Sequence, residues 1–406
     1  MKYFFFLLLT LVILRLGVFY FFPISLQNNQ PIHFSAVLLE DPKVVGNSQQ
    51  FYLRYGDFWQ STSLLITTNT DTEFAYGQTL TIDGTVKERL LKNKQPVMTI
   101  QNPKITAKNE GFLPVFGSLR QRIIAFCENN FSQPYSGLIV GIIFGVKSLL
   151  TYQITTSFRI TGLSHIVAAS GMNVTLVAGF LFAIFAGIFK RRGAIVASIV
   201  GIFVYVCLSG FQPSILRAAF MGGVAFSAGF FGRQYSGIYI LFLVGSGMLL
   251  WDPLLLSDVG FQLSVLATFG IVVVQPILFK RNIFGEDFGT TLAAQLTTLP
   301  ILLATFGQYS LLSIVANLLV LWTIPLIMTI GGIGILVGLV FEPLGKLLVY
   351  GVIPLLWYLE KVTAFFAAHS ATIHIDSLPV SFLVGYYLLL LGIVLFLKKK
   401  KETLSI

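Results

Sequence analysis

Charge is what this sequence has least of. Asp, Glu, Lys and Arg make up only 11% of its 406 residues, hydrophobic residues make up 55%, and the mean hydropathy is +0.82. A soluble chain of this length needs far more charge to cover its surface, so that class is excluded. Cysteine is nearly absent: Cys127 and Cys207 exclude a disulfide framework and a thiolate metal site. The four histidines, His33, His165, His369 and His374, are scattered, which leaves a zinc hydrolase almost no ligands. No metal and no cofactor are expected. Gly141–Ser148 (GIIFGVKS) looks like a phosphate loop but places Val146, not glycine, before Lys147, and no strand precedes it. The apolar part also lacks alternating strands, which rules against an outer-membrane barrel.

What remains are apolar runs close to the ~20 residues that cross a bilayer as a helix. The fold class expected is a polytopic α-helical membrane protein with a small extracytoplasmic β-barrel (OB-like) domain inserted after the first transmembrane helix. Residues 1–24 form an N-terminal anchor. No small-x-small cleavage site follows it, and Arg15, which interrupts it, is expected to snorkel or to pair inside the bundle. Residues 28–112 differ abruptly, with eight acidic and eight basic residues between Asn28 and Gly111. Alternating segments (Gln50–Tyr55, Leu80–Val86, Val97–Ile100) are punctuated by turn signals at Gly46-Asn47-Ser48, Tyr55-Gly56-Asp57 and Asp83-Gly84. Lys87, Arg89, Lys92 and Lys94 cluster late in it, as a solvated face or as a phosphate-binding one. Residues 118–132 read as an amphipathic interfacial helix. A multi-span region follows over 134–397, with roughly nine or ten apolar segments, and then a basic tail, 398–406.

Positive clusters at Lys190-Arg191-Arg192, Arg233, Lys280-Arg281 and Lys398–Lys401 are expected in the cytoplasm. Lys2 joins them, which leaves the β-domain outside. Simple alternation fails between Leu311 and His369, where one run must be broken, re-entrant or interfacial. Pro325 and Gly331-Gly332-Ile333-Gly334 are the expected break.

The densest polar signal is GLSHIVAASGMNV (Gly162–Val174). On one helix His165, Ala169 and Asn173 would share a face beside a notch of small residues, suited to a polar pathway or to helix packing. Ser170 with His165 as a hydrolase pair lacks an acid, because no Asp or Glu occurs between Asn129 and Trp251. That window does hold seven basic residues: Lys147, Arg159, Lys190, Arg191, Arg192, Arg217 and Arg233. Buried cations in an acid-free stretch suit an anionic cargo. Pro213 can start a helix that carries Arg217 about one turn inward, either as a functional cation or as an ion pair with Asp258. Asp258 and Gln262 share a face, and Gln308 and Asn317 add intramembrane amides, lining a cavity or joining helices.

At these residues the chain resembles the ComEC family of inner-membrane DNA channels. The matching segments are Gly162–Val174, PSILRAA (Pro213–Ala219), DVGFQLSVLATFGI (Asp258–Ile271) and FGQYSLLSIVANLL (Phe306–Leu319), in family order. Tyr76–Glu88 (YGQTLTIDGTVKE) resembles the family's OB-like domain. The resemblance implies a conduit in the bacterial plasma membrane that passes single-stranded DNA inward. His165, Asn173, Arg217 and Gln262 would contact the strand, Ser170, Gln308 and Asn317 would line its path, and Asp258 would hold Arg217. Many members carry histidine where this chain has Asn173, and many carry a metallo-β-lactamase-like nuclease domain after the spans. None is expected here, so this form reads as a channel and not an enzyme. A separate receptor or nuclease and a cytoplasmic helicase or motor would be partners, with a homo-oligomer compatible. The rivals are a secondary transporter of small anions, an intramembrane Ser170–His165 hydrolase, and a scaffold in which the polar residues only pack.

Overall fold

The computed structural model describes residues 2–70, 72, 74–90, 96–167, 170–232, 234, 236–278, 286–310, 312–369, 372–374 and 378–403. Lys92, Lys94, Ala168, Ala169, Arg233, Lys280 and Arg281 therefore lie outside the described residues.

The chain opens with helix α1 (Lys2–Phe21) and then forms seven strands: β1 (Pro31–Val37), β2 (Lys43–Val45), β3 (Ser48–Gly56), β4 (Ser61–Asn69), β5 (Thr79–Leu90), β6 (Pro96–Gln101) and β7 (Lys104–Lys108). They join in the order β1-β5-β6-β4-β3-β2, with β7 on β5, as a half-barrel sheet with one parallel pair, β4 and β6. Inward positions alternate as a pleat demands: Leu80, Ile82 and Val86 of β5 are sealed together with Leu64, Ile66 and Ile100. The series skips Gly84, and the turn expected at Asp83-Gly84 is instead the middle of a strand. A Cβ there would sit 2.6 Å from Ile100 Cγ2, so glycine fills the inward slot where β5 passes from β7 to β6. The other two expected turns are turns, each with a left-handed glycine, Gly46 at φ 61° and Gly56 at φ 116°.

The remaining helices are α2 (Leu113–Asn130), α3 (Tyr135–Phe144), α4 (Tyr152–Ile160), α5 (Ser164–Val167), α6 (Gly171–Ile188), α7 (Arg191–Ser209), α8 (Pro213–Phe230), α9 (Gly237–Trp251), α10 (Val259–Leu278), α11 (Glu286–Phe306), α12 (Ser313–Gly338), α13 (Glu342–Tyr350), α14 (Ile353–Ala368) and α15 (Val380–Thr403). Among the described residues eight helices are long and apolar enough to span a bilayer, with α13 and α14 counted together as one run, Glu342–Ala368, and α3 and α9 are shorter apolar ones. The protein is a multi-pass membrane protein.

The expected break at Pro325 does not occur. Helix α12 runs through it and absorbs the strain in a π-helical turn, Ile327–Gly331. The chain breaks later, at Gly351-Val352, where Pro354 starts α14. Strands β8 (Gln308–Ser310) and β9 (Thr372–His374) pair antiparallel, so the segment between them leaves and returns at one end of the bundle. The glycine run is packing: a Cβ on Gly345 would overlap the Gly338 backbone, and one on Gly334 would press on Val349. Gly345→Ile is expected to lower the melting temperature in detergent. The obstacle is backbone, so the loss falls at or beyond the upper end of the ~1–3 kcal/mol that overpacking costs.

Pro300 inside α11 lacks the N–H that would satisfy Leu296 O. Helix α15 supplies the replacement: Tyr386 donates to Leu296 O at 2.9 Å and Tyr387 to Thr297 O at 3.0 Å. Tyr386→Phe is expected to cost about 1–3 kcal/mol in a melt, because it strands that carbonyl again.

Candidate functional site

Two arginines fasten the β-domain to the bundle. Arg120 of α2 is 5% exposed, on a buried stripe with Gly117, Ile123 and Cys127. It pairs with Asp41, donates to Leu208 O at 2.9 Å, and lies 4.9 Å over the Tyr76 ring. Tyr76, its phenol held above the usual range by burial, donates to Cys207 O at 2.7 Å. Arg15 of α1, equally buried, donates to Leu250 O at 3.3 Å, to Trp59 O at 2.9 Å and to Phe58 O. Arg54 pairs with Asp252 at 2.9 Å beside it. Leu208 and Leu250 end α7 and α9, so each guanidinium meets the orphan carbonyls and negative pole of a helix C-terminus. The β-domain thus sits on the end of the bundle where α7 and α9 finish and α8 and α10 begin. The opposite end carries Arg191 and Arg192, the latter 5.4 Å from the Phe230 ring at the end of α8. Arg15 was legible as a charge in an apolar run; Arg120 and Tyr76 were missed. A basic residue three before Ile123 on the apolar stripe was the available signal.

Beneath this cap the bundle is discontinuous. Among the described residues between Tyr135 and Ser170 no helix exceeds the 10 residues of α3. His165 and Asn173 do not share one helix face: α5 ends at Val167, Ser170 is extended (φ −113°, ψ 172°), and α6 starts afresh at Gly171. Serine and glycine are poor helix interior residues, and Gly171 packs closely against α8, where a Cβ would lie 3.1 Å from Arg217 Nη2 and 3.5 Å from Ala218 Cβ.

Asn173 is buried and works as a strut. Its amide donates to Ile142 O at 2.7 Å, Tyr205 donates to Ile143 O at 2.7 Å, and Gln212 donates to Gly145 O at 3.1 Å. Together they satisfy the last carbonyls of α3. Ser170 donates to Asn173 Oδ1 at 3.1 Å, while His165 Nδ1 lies 3.2 Å from Gly162 O; serine and histidine do not bond to each other. The His165 ring is exposed. Asn317 donates to Thr291 at 3.3 Å and leaves Oδ1 buried without a partner. The side chain of Gln308 lies outside what is described; its backbone is in β8.

Arg217 is buried about 6 Å into α8 by the helical rise. The expected ion pair with Asp258 is absent. Asp258 Oδ1 caps α10, accepting from Phe261 N at 2.6 Å, and Gln262 donates back to Leu256 O at 2.7 Å. Arg217 turns instead to Ser264, one and a half turns further along α10, with Nε to Oγ 2.9 Å. The helix cap takes the carboxylate, so the cation is left with neutral partners. Lys87 and Arg89 are exposed on β5, and among the described residues no group of His, Cys, Asp and Glu is placed to hold a metal.

A model of the Competence protein family matches residues 142–400. This chain belongs to that family. The match opens at Ile142, the carbonyl that Asn173 holds, so the family region takes in His165, Ser170, Asn173 and Arg217 and leaves out α1, the β-domain and α2. Among curated proteins, ComE operon protein 3 of Bacillus subtilis (strain 168) is 31% identical over 229 residues, covering 55% of this chain and 29% of that protein. The uncharacterized protein YcaI of Escherichia coli (strain K12) is 26% identical over 246 residues, covering 52% and 31%. The chain spans about three tenths of the length of these two relatives. No solved structure matches it.

Proposed function

We propose that this Competence family chain passes single-stranded DNA through the bacterial plasma membrane. The strand enters at the end that carries the β-domain and leaves at the end that carries Lys190, Arg191 and Arg192. The observation that carries the reading is Arg217, a buried cation with neutral partners in a stretch without one acidic residue between Asn129 and Trp251. A polyanion needs such a path, and a buried charge in a membrane protein is expensive without a use. The exposed His165 ring and the unsatisfied Asn317 Oδ1 are further polar groups of the bundle. Entry of an anion against an inside-negative potential costs ~2.3 kcal/mol per charge per 100 mV when each charge crosses the full field. A cytoplasmic helicase or motor is therefore a partner in this account. Cells lacking the chain are expected to bind labelled DNA but leave it open to external nuclease; protected label in such cells contradicts the reading.

The second reading is a transporter of small anions, favoured by the broken run from α3 to α6, since discontinuous helices commonly frame ion sites. Sidedness has its own test. Cys127 and Cys207 are buried, and burial pushes the Cys127 thiol up to about 12, so neither is expected to react with an impermeant maleimide. Lys87→Cys is expected to label in intact cells and Lys398→Cys only after lysis.

A further inference from the structure

Arg217 lacks a countercharge, and the groups around it ask for an anion. The side chain is only 5% exposed, and its two hydrogen-bond partners, Ser264 Oγ and Met221 Sδ, each at 2.9 Å, are neutral. Among the described residues no carboxylate pairs with it. Among the described residues its Nη2 makes no hydrogen bond, yet Nη2 is not one of their sealed, unpartnered buried atoms, so that edge of the guanidinium opens onto accessible space. The same edge faces the start of α6, where a Cβ on Gly171 would lie 3.1 Å from Nη2. Helix α6 has 18 residues, and its N-cap, Ser170, gives no side-chain cap: the hydroxyl turns to Asn173 instead. A free guanidinium edge and the uncapped positive pole of a helix therefore stand side by side. The two repel unless an anion sits between them, and that pairing is a ready anion site.

The geometry points to a cradle for one phosphodiester group, made by Arg217 Nη2 and the first-turn amides of α6, with Gly171 keeping the approach open. The phosphodiester as source rests on the strand-passage reading; the tetrahedral oxyanion rests on the geometry alone. Arg217 and backbone amides touch only phosphate oxygens, so the cradle accepts any base sequence. One group held at a time, by one cation and one helix end, suits a strand that must also leave.

The test uses the full chain in lipid nanodiscs and a fluorescein-labelled oligothymidylate, followed by anisotropy across a salt series. Inorganic phosphate and an uncharged methylphosphonate oligothymidylate are the comparison ligands. The wild type is expected to bind the charged oligomer at least about tenfold more tightly than the methylphosphonate one. Arg217→Gln is expected to weaken it by about tenfold and to lower the salt slope by about one. Arg217→Lys should recover part of the loss, and Gly171→Ala, which keeps the arginine, should lose affinity. If folded Arg217→Gln and Gly171→Ala bind the charged oligomer as the wild type does, the cradle is overturned while strand passage survives. If phosphate binds through Arg217 and the oligomer binds no better, the cradle holds a small oxyanion and strand passage falls. If neither ligand binds the wild type, both fall.

Discussion

Replacing Arg120 with alanine is expected to free the β-domain from the bundle. The side chain pairs with Asp41, donates to Leu208 O and stacks on Tyr76, so it joins α2 and α7 to the β-domain. Its removal leaves the Asp41 carboxylate, 22% exposed, without its cation, and the α7 C-terminus without its donor. Breaking a buried pair from one side costs about 3–5 kcal/mol; partial exposure of Asp41 puts this case near the lower figure. Against a domain stability of ~5–15 kcal/mol, that is enough to undock the β-domain without unfolding the spans. Hydrogen exchange should rise around residues 37–41 and 206–212 and stay unchanged in α12. Arg120→Met with Asp41→Leu should recover much of the protection, because an apolar pair removes both charges together. Unchanged exchange in Arg120→Ala would mean that the Arg15 cluster alone holds the domain.

Arg217→Gln is expected to lower entry of DNA into the cytoplasm by about ten- to a hundredfold while the protein inserts normally. A hydrogen bond to a charged group is worth about 1.5–3 kcal/mol, and ~1.4 kcal/mol is a factor of ten. The glutamine keeps a donor for Ser264, so the packing between α8 and α10 is preserved and the loss reads on charge. Arg217→Lys should fall between the two, since an ammonium keeps the charge but not the planar fork. A Gln variant that transports as the wild type does would make Arg217 a packing residue.

The membrane class and the half-barrel strands were legible, because one rests on long apolar runs and the other on alternation in a short window. The glycines of α12, expected with Pro325 to break the run, pack helices instead. Asp83-Gly84 misled because a turn signature and an inward glycine within a strand are the same letters; only the approach of Ile100 separates them. Pro325 misled for a related reason: a π-helical turn absorbs a proline that sequence alone reads as a break. The site itself was half legible. Burial of Arg217 and the absence of acid around it follow from composition, but the partner does not. Asp258 was the reasonable choice until its carboxylate was found capping α10, a local bond that outcompetes a distant cation. Asn173 was read as a pathway residue, and the structure gives it the carbonyl of Ile142, across 31 residues of sequence that no local pattern spans.

The most direct measurement follows single-stranded DNA, labelled along its length, into cells carrying the intact chain, a deletion or Arg217→Gln, with membrane insertion checked by blot. The account predicts nuclease-protected cytoplasmic label with the intact chain, none in the deletion, and a strong deficit in the variant at equal protein in the membrane. Protected label in the deletion at the level of the intact chain would contradict it.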